Sequence, residues 1–220
     1  MKKLKQTTRS SDSQRCRFTE DEAKLPWLVM LLDAYEIFDR GIELALRRDK
    51  RKLNRKPACR EGCGGCCSTH TDIPLYPLEM TGIYWYVIEK ADLSIRQALE
   101  KNLESHTPVG PCPFLIDQAC AIYPLRPAAC RQFIVFNRPC SEGEDPYYTR
   151  RHDVLTPMQD FVDEAFYIML PFYGITEEEE KASAIKNNLI HARVRNLKTT
   201  DWKILAQRLA ATINVEGSKL

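Results

Sequence analysis

The chain has 220 residues, 44% of them hydrophobic and 28% charged, with a formal net charge of +2. That apolar content is enough for one ordinary core, and it excludes a low-complexity or collagen-like chain. The longest apolar run, Leu25–Leu32, has eight residues and is broken by Pro26, far short of the roughly 18 residues that a membrane span needs.

The first elements are set by charge. Residues 1–17 carry six Lys/Arg against one Asp, and 47–60 carry eight against one, so the remainder of the chain is acidic. Residues 1–22 read as a basic, disordered tail that includes Cys16, which is set aside as a ligand. No apolar segment follows the positive Met1–Arg9 stretch, so a secretory signal is not expected and the nine cysteines are assigned to a reducing, cytoplasmic setting. Residues 23–215 then read as a single helical domain with a cysteine-cluster core at 59–140.

Leu28, Leu31, Leu32, Tyr35, Phe38, Ile42, Ala45 and Leu46 recur at helical spacing, which predicts a helix from about Leu25 to Lys52. The basic block at its end suits the negative pole of the helix dipole. It could also touch nucleic acid, a reading that is kept open but not favoured. Cys59-Arg-Glu-Gly-Cys-Gly-Gly-Cys-Cys67 follows, with three glycines that allow tight turns. Pro77–Lys90 and Ile95–His106 are the next helices. If antiparallel, they return the chain to the neighbourhood of Cys67. Residues 112–140 are proline-rich, with a small hairpin expected through Phe114-Leu-Ile and Cys120-Ala-Ile-Tyr. Arg126-Pro127 marks a short helix with proline at its first position, Cys130 in its first turn and a lowered thiol pKa there. Three further helices are expected to start at Thr156-Pro157, at Thr176 with a capping box to Glu179, and at Thr200 or Asp201. The fold class is mainly α, with helices packed around an irregular, cysteine-rich metal-binding core.

Eight cysteines form two groups, Cys59, Cys63, Cys66 and Cys67, then Cys112, Cys120, Cys130 and Cys140. Gly and polar neighbours leave Cys63–Cys67 no apolar face to bury, so buried free thiols do not explain the run. Thiolates gathered this closely need a cation, and all eight are assigned as metal ligands. Lys56, Arg60, Arg126 and Arg131 would offset the negative charge of the centre. Only Cys63/Cys66 makes a clean zinc knuckle, whereas three close cysteines plus a distant one suit a cubane cluster.

The strings Cys63-Gly-Gly-Cys-Cys67, Pro111-Cys-Pro-Phe-Leu115 and Cys120-Ala-Ile-Tyr-Pro-Leu-Arg-Pro-Ala-Ala-Cys-Arg-Gln-Phe133 resemble the YkgJ-type cysteine-cluster proteins. That family's pattern is Cys-x2-Cys-x2-Cys-Cys; here the first gap is three residues. The resemblance implies zinc or iron chelation, often as an iron–sulfur protein.

The leading expectation is thus an iron–sulfur centre of the 4Fe–4S type, for electron transfer or stabilisation, with a protein or redox partner and no membrane. A zinc-binding interaction module with basic nucleic-acid-contacting segments is the alternative, and a thiol oxidoreductase at Cys63/Cys66 is a third. His70 is a further candidate ligand. His106, His152 and His191 read as surface or helix-end residues, and Glu61, Asp72 and Glu79 as solvated. Tyr76, Tyr84, Trp85, Tyr86 and Phe114 read as the packing shell of the site. Arg131 is either a surface guanidinium or a hydrogen-bond donor to a cluster sulfur or an anionic partner.

Overall fold

A computed structural model describes residues 15–60 and 62–217. In chain order the helices are α1 (Thr19–Glu22), α2 (Pro26–Leu53), α3 (Gly65–Thr69), α4 (Pro77–Glu89), α5 (Leu93–Glu104), α6 (Ala128–Gln132), α7 (Pro146–Thr149), α8 (Gln159–Met169), α9 (Glu178–Lys186) and α10 (Lys203–Gly217). Four two-residue strands pair antiparallel: β1 (Pro74–Leu75) with β4 (Arg195–Asn196), and β2 (Leu115–Ile116) with β3 (Ala119–Cys120). The fold is mainly α, and none of the described helices is long and apolar enough to cross a membrane.

The expected long helix is α2. Proline stands at its start, and Asn54 at φ +51° ends it in the left-handed conformation that asparagine tolerates. Its buried face (Leu28, Leu31, Leu32, Tyr35 and Phe38) packs on α4, α6 and α8. A second core joins α4, α5, α10 and the β2–β3 hairpin through Ile83, Leu99, Phe114, Trp202 and Leu209. A smaller one, Ile42, Ala45, Ile134, Phe136 and Leu155, closes the far end of α2.

Several boundaries differ from the sequence expectation. Residues 15–22 are not a loose tail. Arg15 pairs with Asp33 at 2.6 Å and Glu22 at 2.8 Å, and Phe18 meets the Trp85 ring edge-on at 4.9 Å. One aromatic and two carboxylates suffice to anchor a polar segment; residues 1–14 of the expected tail lie outside the described residues. Pro127 is the N-cap of α6 rather than its first residue. Helix α8 starts two residues beyond Pro157, and α9 starts after Glu177 with no side-chain cap, so the Thr176–Glu179 box does not form. At α10 the Asp201 carboxylate accepts from the Lys203 N–H at 3.0 Å, as a helix start there requires.

The basic end of α2 is partly consumed within the fold. Asp49, buried, takes Arg48 at 2.8 Å and Arg55 at 3.4 Å, while the Arg48 guanidinium also donates to the Thr156 carbonyl. Lys50, Arg51 and Lys52 remain exposed.

Candidate metal centre

The cysteines stand on turns, on the one-turn helices α3 and α6 and on a two-residue strand, and these short pieces are held by groups reaching in from elsewhere. Beyond α2, the Ala58 N–H donates to the Val135 carbonyl at 2.8 Å, and the Val135 N–H points at the Cys59 sulfur at 3.3 Å. The turn through Gly62 (φ +73°) leads to Cys63 and then to α3, which carries Cys66 and Cys67. Gly64 is required on steric grounds, since a Cβ there would stand 2.7 Å from the Gln118 carbonyl oxygen. The glycine therefore lets α3 sit against the tip of the β2–β3 hairpin.

That hairpin turns through Asp117 and Gln118, both at positive φ, the geometry of a two-residue primed turn. It sets Cys120 opposite Leu115. The expected return of the chain is realised as a hydrogen bond: the Cys112 N–H donates to the Cys67 carbonyl at 2.7 Å. The α4–α5 excursion thus closes on the cysteine turn that it left, although α5 takes α10 as its main packing partner.

Cys130 lies in α6, whose placement depends on Glu79. One oxygen of that carboxylate accepts from the Tyr76 N–H at 3.0 Å and the other from the Ala128 N–H at 2.7 Å, so a single side chain caps both α4 and α6. Glu79 is 0% exposed and burial raises its pKa to about 7, the two N–H donors opposing the shift. The expectation of a solvated Glu79 is thereby corrected; Asp72 is exposed as expected, and Glu61 lies outside the described residues.

Arg131 is not the surface guanidinium of the first reading, and of the donor readings it takes the anionic partner rather than a sulfur. It is buried, donates to the Pro124 and Arg126 carbonyls and to Asp39 at 2.7 Å, and stacks over Tyr35 at 4.0 Å. Arg150 does for Cys140 what Arg131 does for Cys130. Its guanidinium donates to the Phe136, Arg138 and Pro139 carbonyls while pairing with Glu144 and Asp153, which fixes the backbone that enters Cys140. Lys198, 1% exposed, donates to the Gly110 carbonyl just before Cys112. Neither Arg150 nor Lys198 was singled out in the sequence, because nothing local marks a distant cation that grips carbonyls.

The sulfurs influence one another throughout. The Cys66 pKa is raised first by its hydrogen bond with Cys67, and Cys67 by its bond with Cys112. Burial pushes Cys120 up to about 11, and Cys130 well above the usual thiol range. The lowered pKa expected at Cys130 is therefore reversed: α6 has only five residues, and burial beside other thiols outweighs any dipole. Arg126 opposes these shifts at Cys59, Cys66, Cys120 and Cys130, with its Nε buried and unpartnered and its guanidinium over Tyr123 at 4.3 Å. As a donor set the site is rich in soft sulfur and holds a cation beside it, which fits a thiolate-bound metal centre. Among the described residues, no three His, Cys, Asp or Glu side chains converge as the ligands of one ion would.

His70 is not drawn into the thiol set. Its ring lies edge-on to Phe133 at 4.0 Å and 3.3 Å from Asp145, and neither ring nitrogen has an aligned hydrogen-bond partner. Cys16 packs against the first core beside Arg131, Glu22 and Arg15. Of the expected aromatic shell, Phe114 packs with the cysteines and Tyr84 and Tyr86 border the same core, whereas Tyr76 and Trp85 belong to the α2 core. His106 meets the Lys198 carbonyl and His191 the Tyr76 hydroxyl; His152 is exposed beside Asp153.

A helical scaffold that gathers eight thiols from irregular segments defines a cysteine-cluster domain. Residues 58–153 match the model of the family described as "CxxCxxCC: Putative zinc- or iron-chelating domain". The matched segment takes in all eight clustered cysteines and stops short of Lys198. No curated protein and no solved structure matches the chain.

Proposed function

We propose that the protein carries an iron–sulfur centre of the 4Fe–4S type, used for electron transfer or to stabilise the fold, in a reducing, cytoplasmic setting. Cys59, Cys63, Cys66, Cys67, Cys112, Cys120, Cys130 and Cys140 are its ligand pool. The observation that carries this reading is the donor set: eight soft thiols, with Cys66 hydrogen-bonded to Cys67 and Cys67 to Cys112, among which Cys63/Cys66 is the sole Cys-x2-Cys pair. Four-cysteine zinc sites favour two such pairs, whereas a cubane cluster accepts three close thiolates and a distant one. When bound, such a centre supplies one-electron redox chemistry. The chain's own part is to hold the thiols in register and to set Arg126 beside them as a charge-compensating donor.

The test is elemental analysis with an absorption spectrum on full-length protein prepared without oxygen. Iron and sulfide in near-equal amounts with broad visible absorption are expected. A colourless protein with stoichiometric zinc would overturn the iron reading.

A further inference from the structure

The eight thiols differ in what surrounds them. Cys67, Cys112, Cys120 and Cys130 pack into the second apolar core, together with Phe114, Leu115 and Ala129. Cys59, Cys63, Cys66 and Cys140 lie outside every apolar cluster, and Cys59 and Cys63 are exposed. Contacts follow the same division except at Cys66, whose thiol also hydrogen-bonds that of Cys67. A Cβ on Gly65 would lie 3.8 Å from the Cys63 sulfur and 3.9 Å from that of Cys140, so one small residue separates those two thiols. Cys140 has Cys59, Cys63 and Cys66 as its thiol neighbours. On the other side, Cys67 is tied to Cys112 through both backbone and thiol and lies near Cys120, while Cys130 faces Cys120 and Cys67. Cys66 also reaches Cys120 and Cys130, as its place beside Cys67 on α3 dictates.

The structure assigns these residues to two four-thiolate metal centres side by side: an outer one of Cys59, Cys63, Cys66 and Cys140, open to solvent at Cys59 and Cys63, and an inner one of Cys67, Cys112, Cys120 and Cys130, walled by the apolar core. The assignment rests on the metal-binding reading above and adds number, membership and unequal access. Adjacent Cys66 and Cys67 are the junction. Lys198, which grips Gly110 and faces Cys67 and Cys112, places a cation from outside residues 58–153 against the inner set alone.

The test compares metal per chain, by elemental analysis, in full-length wild type and in paired serine variants prepared without oxygen, then follows release to a strong chelator. Wild type is expected to lose metal in two phases of equal size. Cys63→Ser with Cys140→Ser should retain half of the wild-type content, all of it in the slow phase. Cys112→Ser with Cys130→Ser should retain the other half, in the fast phase. Should that buried pair unfold the chain, as circular dichroism would report, the outer variant and the two wild-type phases still decide. A folded outer variant that loses all its metal, or wild type that releases everything in one phase, overturns the partition while leaving metal binding intact. Wild type with no bound metal overturns the metal-binding reading instead.

Discussion

The α2 core and the cysteine-bearing segment are held together by opposite means. Around α2, a helix satisfies its own backbone and apolar side chains at regular spacing do the rest, with Phe38 at 2% exposure against Phe166. In the cysteine-bearing stretches on either side of α4 and α5 regular elements are short, and buried charged groups take over the backbone: Glu79 for the Ala128 N–H, Arg131 for the Pro124 and Arg126 carbonyls, Arg150 for those of Arg138 and Pro139, Lys198 for that of Gly110. A site that must aim many sulfurs from loops cannot use helices throughout. Buried carbonyls and N–H groups still need partners, so long charged side chains supply them.

The contrast can be broken from either side. The largest expected effect is in the apolar half: Phe38→Ala should lower unfolding stability by about 3–5 kcal/mol, measured by denaturant titration, while metal per folded chain stays unchanged. Arg150→Met should cost about 1.5–3 kcal/mol by abandoning carbonyls and carboxylates that it now serves, and it should also weaken metal retention through Cys140. A variant that retained metal as wild type does would show that the guanidinium is not what positions this cysteine.

Glu79→Gln comes next, at about 1–3 kcal/mol, because an amide puts N–H groups against one of the two N–H donors that the carboxylate accepts. It should also alter the pH profile. Glu79 is enclosed by Tyr35, Tyr76, Tyr173 and Arg131, and its pKa stands at about 7 against an ordinary 4.5. The folded chain therefore holds this proton more tightly than the unfolded chain does. Its contribution to stability is full below about pH 4.5 and is lost as pH rises through about 7. The glutamine variant should flatten that slope, and an unchanged slope in thermal melts would assign the dependence to other groups. At the bottom of the scale, Arg47→Ala removes an exposed i, i+4 partner of Glu43 and should cost no more than about 0.5 kcal/mol.

Much of the scaffold was legible because its signals are local. Helix α2 and the helices from Pro77 and near Ile95 lie within a few residues of their expected spans, since apolar spacing and proline positions act over one or two turns. The hairpin at Leu115–Cys120 was also anticipated, and the return of the chain to Cys67 was expected from near-matched helix lengths on the condition that the pair is antiparallel. The short α3 was missed, because a Gly-Cys-Cys-Ser-Thr run has no periodicity to read. The sequence misassigns Glu79 and leaves open the choice among the readings of Arg131, for a shared reason. Whether a charged residue faces water or caps a distant helix depends on what packs over it, and no spacing rule carries that information.

By itself, the sequence determined that helices flank the cysteine-bearing stretch and that eight of nine cysteines concentrate between residues 59 and 140, a concentration that raised the expectation of metal. These follow from hydrophobic period, turn-forming glycines and the repulsion among gathered thiolates. Only the tertiary structure decided which thiols sit in apolar surroundings and which face solvent, and that Lys198 and Arg150 hold their loops. Those facts depend on contacts between residues far apart in the chain, where burial and charge pairing are settled by packing rather than by neighbours in sequence.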